Sequence, residues 1–288
     1  MEYTARTAQG RLALSDSADE LYWILDGLAS ADDFVVFEHA SSVNAFIQTY
    51  RRADGSLVVE YNDGTGLAEV ADVDVLAAHQ ALLACLQGGP ELAPRLRAVR
   101  GTFGSYGVLS PVDYEGTGLS IANAMLDAGK RRRWLGRPGT IPPLLSWGAR
   151  QITSGDVWRD VPVGGSIAVA VRAFVDGLDH GFAVSAQGGA LSHGGLADGS
   201  ESAEELVLWP TPTEREFEVR YTSPRQILLL CNVYRVSGPT WSKVDKWSEN
   251  AGLWIEQGSE RVRTYHCNHA STRPPTFADL VVTVSVDG

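Results

Sequence analysis

Apolar residues near the start of the chain follow a helical period. Residues 21–28 place leucine or isoleucine at spacings of three and four. Ser17 precedes Glu20 by three residues, as in a capping box, where the two side chains satisfy each other's free backbone amides. A second apolar run covers residues 73–86 and ends before Gly88-Gly89-Pro90, a sequence that stops helices. The pattern predicts two helices.

Short runs of strand-forming residues lie between these helices. Asp54-Gly55 separates two of the runs and is a strong hairpin signal, because both residues tolerate positive φ. The runs cover residues 34–37, 46–50, 57–61 and 67–70. A helix, a meander of strands and a second helix together predict an antiparallel sheet backed by helices.

The last part of the chain alternates between apolar and polar residues with a period of two. Phe217, Val219 and Tyr221, for example, alternate with charged residues, as a half-solvated strand should. Alternating runs cover residues 167–173, 217–221, 262–267 and 280–286, a short run covers 206–209, and residues 227–231 are continuously apolar, as in a central strand. Many short strands joined by long loops predict a β-sandwich or jelly-roll-like domain. The predicted fold class of the whole chain is α+β.

These patterns divide the chain into three parts. Residues 1–100 are predicted to form a small α+β domain, and residues 161–288 a β-sandwich-like domain. Between them, residues 101–160 contain a glycine-rich stretch at 101–107 and a basic run at 130–133, closely followed by three prolines. We interpret this middle part as an irregular linker or insertion with short helices.

Charge and composition exclude several classes of function. The formal net charge is −11, and an acidic surface repels phosphate backbones, so we expect no nucleic-acid partner. No stretch approaches the roughly 20 apolar residues that a membrane helix needs, and the polar residues 1–10 predict no signal peptide. The three cysteines Cys85, Cys231 and Cys267 form no metal-binding pair by spacing. We expect a bacterial, cytoplasmic protein without metal or cofactor.

Residues 23–89 carry a resemblance to a known family. The segments that carry it are FVVFE at 34–38, FIQT at 46–49 and LVVEYNDG at 57–64, followed by the helix that ends at 88–89. They resemble the small immunity proteins that accompany polymorphic deaminase and nuclease toxins in actinobacteria. The resemblance implies a protein-binding scaffold rather than an enzyme, with a basic toxin as its target. The acidic residues that would face this partner are Glu38, Glu60, Asp63 and Glu69.

Candidate catalytic residues cluster in the β-rich part. His266, Cys267 and His269 are close in sequence, but adjacent strand residues point to opposite faces, so a base for Cys267 would have to come from elsewhere, with His269 as one candidate. A metal site would need Cys231, His180 or a carboxylate as well, and no ligand spacing supports zinc. Asp179 beside His180 is a second candidate acid–base pair. The competing interpretation is that these residues are buried or hydrogen-bonded for structural reasons.

Aromatic residues in the same part predict a different kind of site. Trp209, Tyr234, Trp247 and Trp254 lie at loop–strand junctions, where aromatic side chains line apolar pockets or pack as core. Two functions follow. The first is a binding protein, immunity-like, that engages a basic protein through an acidic sheet. The alternative is an enzyme of natural-product metabolism, such as a cyclase, that holds a small apolar ligand in this aromatic pocket.

Overall fold

The computed structural model describes residues 3–12, 17–29, 33–39, 45–63, 67–86, 112–131, 144–193, 203–237, 240 and 242–287. The chain divides into two compact units, Met1–Leu119 and Ser120–Gly288. Over the described residues the protein is mostly β, with three α-helices and several antiparallel sheets. None of these helices is long and apolar enough to cross a membrane.

The first unit contains one antiparallel sheet and two helices. Its strands are β1 (Tyr3–Thr7), β2 (Gly10–Leu12), β3 (Phe34–His39), β4 (Ala45–Arg51), β5 (Leu57–Asp63) and β6 (Leu67–Val73). They form a six-stranded sheet in the order β2-β1-β3-β4-β5-β6. The helices are α1 (Ala18–Asp26) and α2 (Val75–Leu86). We call this sheet the first sheet.

Alternation along the strands decides which residues face the helices, and on the opposite side Val36 and Val58 are buried as well. Val35, Phe37, Ile47 and Val59 point to one side, where they form a single buried cluster with apolar residues of both helices. The start of α1 follows the predicted cap, because the Ser17 side chain accepts a hydrogen bond from the Glu20 backbone amide at 3.4 Å. We call the opposite side of the first sheet its outer face.

The second unit contains one helix and thirteen strands among its described residues. The helix is α3 (Ile121–Arg131). The strands are β7 (Leu145–Trp147), β8 (Arg150–Thr153), β9 (Asp156–Arg159), β10 (Gly164–Phe174), β11 (His180–Ala186), β12 (Ala190–His193), β13 (Glu205–Leu208), β14 (Glu216–Thr222), β15 (Ile227–Ser237), β16 (Ser242–Asp245), β17 (Gly252–Ser259), β18 (Val262–Asn268) and β19 (Leu280–Asp287).

These strands form two antiparallel sheets. The larger sheet has eight strands in the order β12-β14-β10-β19-β18-β17-β8-β7, and the smaller has five, β13-β11-β15-β16 with β9 paired to β15. Their buried side chains meet in one cluster, to which β10 and β19 contribute valines and β11 and β15 contribute residues such as Phe182 and Leu228. The strict alternation of buried and exposed positions in β14 follows its sequence.

The structure places strands inside the segment 101–160 that we interpret as irregular. Residues 145–159 contain β7, β8 and β9, which pair with strands of the two sheets. These strands have only three or four residues each and contain Ser146, Gln151 and Arg159. Runs so short and polar carry no clear alternation, so pairing with longer neighbours determines their conformation.

Candidate functional site

The outer face of the first sheet carries three of the predicted partner-binding acids. Glu60 lies directly opposite Glu69 of β6, and Gln48 lies opposite Glu60 on β4. Glu38 shares this face, because the adjacent Phe37 is buried in the helix-packed cluster. Asp63 pairs with Ala45, three register positions from the Glu60–Gln48 pair. We call the surface around Glu38, Glu60 and Glu69 the acidic face.

Arginines neutralise part of the acidic face. Glu38 forms an ion pair with Arg6 of the neighbouring β1. Glu69 forms one with Arg52, with 2.9 Å between the nitrogen and the oxygen. Among the described residues, Glu60 is instead held by neutral groups: the Gln48 amide donates to one carboxylate oxygen, and the Tyr50 hydroxyl donates to the other at 3.3 Å.

Glu38, Glu60 and Glu69 outnumber by one the two arginines that pair with carboxylates of this face. Like charges directly opposite each other on a sheet are destabilising, and Glu60 and Glu69 have this arrangement. The pKa of Tyr50 is raised, first by burial and then by the charges of Glu60 and Glu69, with Arg52 acting in the opposite direction. The exposed Leu67, with 62% of its surface accessible, lies on β6 beside these carboxylates.

A second candidate site, formed by two histidines and a tyrosine, lies in the second unit. His180 begins β11 and pairs with Tyr234 of β15 in the smaller sheet. His269 follows directly after β18 of the larger sheet. The ring centroid of His269 lies 5.3 Å from that of His180 and 5.3 Å from that of Tyr234, in both cases with the rings edge to face. We call these three residues the histidine cluster.

Hydrogen bonds fix the tautomers of both histidines. The Ser271 backbone amide, which can only donate, lies 3.1 Å from Nδ1 of His269, so in the neutral ring the proton is on Nε2. The Asn232 side-chain nitrogen donates to the Asn268 carbonyl at 3.0 Å, and its second hydrogen faces Nε2 of His180 at 3.4 Å. The His180 proton is therefore on Nδ1.

The two protonated nitrogens lack an acceptor. His180 Nδ1 and His269 Nε2 are both buried and have no hydrogen-bond partner among the described residues. In this tautomer the only ring lone pair of His269 is on Nδ1, where it accepts the hydrogen bond from the Ser271 amide. The ring therefore has no lone pair left for a metal ion. In the part of the chain that the structure describes, no group of three or more His, Cys, Asp or Glu residues could hold a metal ion.

Burial keeps the histidine cluster neutral. It lowers the pKa of His180 to about 3, with a further contribution from His269. The pKa of His269 is also lowered by burial, although the carboxylates of Asp279, Glu249 and Asp179 act in the opposite direction. Near neutral pH both rings are therefore uncharged hydrogen-bond donors.

We expect His180 to make folding stability depend on pH. Its pKa of about 3 in the folded protein lies below the ordinary 6.5, so its contribution is fully present above pH 6.5 and is lost as the pH falls towards 3. The loss is about 1.4 kcal/mol per pH unit, or about 2 kcal/mol at pH 5. Urea unfolding of the wild type and of His180→Phe at pH 7 and pH 5 measures it. An unchanged difference between the two proteins would contradict this interpretation.

The other predicted catalytic residues lie in separate surroundings. His266 stacks on Trp254 with 4.0 Å between ring centroids, and its Nε2 lies 3.3 Å from Glu256. Cys267 points to the opposite side of β18 and is fully buried, and burial raises the pKa of its thiol well above the usual range, which disfavours a nucleophilic thiolate. Asp179 lies 4.0 Å from Arg235 in an exposed ion pair.

The four predicted ligand-binding aromatics have different partners. Trp209 lies under the Arg235 guanidinium at 4.5 Å, and Trp254 stacks on His266. Tyr234 is buried and hydrogen-bonded to Ser248. Trp247 is 57% exposed, with its indole nitrogen donating to the Ser154 carbonyl at 3.0 Å.

Asn268 is a site residue that the sequence prediction missed. The two hydrogens of its side-chain nitrogen are shared among the carbonyls of Asn250, His269 and Thr272, at 2.9, 3.0 and 3.2 Å. Its side-chain oxygen accepts from the amides of Thr276 and Phe277, at 2.8 and 3.3 Å. These bonds hold the segment after β18, and with it His269. An asparagine at a strand end is common, so no sequence signal marked it.

Comparison with known proteins gives no relative. No protein-family model, no curated protein and no solved structure matches the chain with statistical significance.

Proposed function

We propose that this chain is a binding protein that engages a basic protein partner through the acidic face. The observation that carries the proposal is the position of Glu60. It lies directly opposite Glu69 on the neighbouring strand, whereas its own hydrogen-bond partners among the described residues are uncharged. A positively charged side chain of a partner would offset the repulsion between these carboxylates. Complementary charge also speeds association and selects among partners.

The composition of the acidic face supports a protein rather than a small ion as partner. Half-buried Phe34 and Phe46 and exposed Leu67 accompany the carboxylates on the outer face. A mixture of apolar contact area and charge is typical of protein interfaces. The resemblance of residues 23–89 to immunity proteins supports the same assignment, with a basic toxin as the partner.

Two finer assignments accompany this proposal. For the second unit we propose a β-sandwich or jelly-roll-like arrangement, supported by the single buried cluster that both of its sheets share. We also propose a cytoplasmic location, supported by Cys231 and Cys267, which are free thiols on strands of different sheets.

The experiment compares two pairs of charge-neutralising substitutions. Glu60→Gln with Glu69→Gln removes two carboxylates from the acidic face. Glu216→Gln with Glu218→Gln removes two exposed carboxylates from β14 and changes the net charge by the same amount. The probe is cytochrome c, a basic protein, and the control is lysine-acetylated cytochrome c, whose lysines carry no positive charge. We expect only the first pair to weaken binding of unmodified cytochrome c strongly.

A further inference from the structure

The segment that follows β18 is tied to the histidine cluster at both ends. At its start, the His269 amide donates to Oδ2 of Asp279 at 2.8 Å, which joins the two ends of the segment. The Asn268 side chain forms hydrogen bonds with backbone groups of the segment at Thr272, Thr276 and Phe277. The His269 ring itself is only 9% exposed and lies against His180 and Tyr234.

A proton on His269 conflicts with this arrangement. Nδ1 accepts from the Ser271 amide at 3.1 Å, and a protonated Nδ1 would place two donors against each other. The Ser271 hydroxyl, 2.8 Å from Nδ1, is the nearest alternative acceptor. A hydrogen bond to it would replace the one that the Ser271 amide donates to Nδ1. Among the residues that the structure describes, Nε2 has no acceptor, and the rings around it are neutral.

The charges that face His269 come from three directions. Asp279 lies at the start of β19, Glu249 precedes β17, and Asp179 precedes β11, and all three carboxylates favour the protonated ring. Asp179 is partly offset by Arg235, 4.0 Å away. His180 and Tyr234 face the ring without charge. The carboxylates therefore favour protonation of His269 before that of the more deeply buried His180.

We propose that His269 is an acid-operated latch: uptake of one proton turns its ring towards solvent, loosens residues 269–279 and uncovers His180 and Tyr234. The deeper ring stays in place, because Asn232 is oriented by the Asn268 carbonyl and continues to donate to Nε2 of His180. The latch is a conformational device of the second unit and does not depend on the binding proposed for the acidic face.

Hydrogen exchange followed between pH 7.5 and pH 4.5 tests the latch. Because opening frees His269 to take up a proton, exchange of amides in residues 269–279, corrected for the intrinsic rate, should speed up by about tenfold or more per pH unit between the ordinary imidazole pKa of 6.5 and the lowered pKa of His269 in the closed state. His269→Gln should weaken this dependence by about tenfold per pH unit, which leaves only the contribution of His180. His266→Gln, which removes a histidine three residues away, should retain the full dependence.

Two results would overturn the latch. One is a wild-type segment whose corrected exchange does not change with pH, and the other is an acid response that is equally steep in His269→Gln and in the wild type. If His269→Gln fails to fold, nitrogen NMR of the wild-type imidazoles decides instead. Above the transition, Nδ1 of His269 must be the unprotonated nitrogen, and the ring must take up a proton in the pH range where the segment opens.

Discussion

Replacement of Gly189 by alanine is expected to prevent stable folding of the second unit, at a cost of more than about 4 kcal/mol. A Cβ at this position would lie 1.8 Å from the Thr222 carbonyl oxygen and 2.7 Å from the Thr222 carbonyl carbon. Both are backbone atoms of β14, whose pairing with β12 begins at the next residue, Ala190. Neither strand can move away without breaking this ladder.

Gly177→Ala is the matched control for Gly189→Ala. Gly177 has φ +84°, and a Cβ built there meets nothing within 4 Å. Its substitution should cost only the left-handed backbone penalty of about 1–2 kcal/mol. Equilibrium urea unfolding of both variants measures the difference. Equal losses of unfolding free energy in the two variants would contradict the close contact between Gly189 and β14.

Replacement of Asn268 by alanine is expected to cost about 3–5 kcal/mol. The side chain is fully buried, and its removal leaves the amides of Thr276 and Phe277 without their acceptor. A buried donor left without a partner costs about 1–3 kcal/mol. The carbonyls of Asn250 and Thr272 lose a donor as well.

Thr276→Val tests whether this effect belongs to Asn268 or to any polar residue of the segment. The Thr276 hydroxyl contributes two long hydrogen bonds, 3.5 Å to Asp279 and 3.3 Å from the Ala278 amide. Its loss should cost about 1 kcal/mol or less. Urea unfolding compares the two variants. A similar, small loss of unfolding free energy in both variants would contradict the role of Asn268 in holding this segment.

Local sequence signals predict the regular elements where one face is buried. In β14 the alternation of Phe217, Val219 and Tyr221 with charged residues determines both the strand and its buried face. The cap at Ser17 marks the start of α1. By contrast, β1 and β2 were not predicted, because their sequences, YTART and GRL, contain few apolar residues. β1 pairs with both β2 and β3, and this backbone pairing stabilises the two strands in place of apolar side chains.

The sites depend on register, which local sequence does not reveal. Glu60 and Glu69 were predicted as partner-binding residues, but their direct opposition across β5 and β6 follows only from the pairing. His180 and His269 were candidates in separate motifs, and the contact between them requires one residue from each sheet of the second unit. The enzyme alternative, with an apolar substrate among the aromatics, stays a prediction.

The most direct test of the acidic face is the affinity for cytochrome c of the two paired variants at low and moderate salt. We predict that Glu60→Gln with Glu69→Gln weakens binding about tenfold or more at low salt and reduces its salt dependence. The matched pair Glu216→Gln with Glu218→Gln should change the affinity less than about twofold. Equal weakening by both pairs, or undiminished binding of acetylated cytochrome c, would contradict a partner site at Glu60 and Glu69.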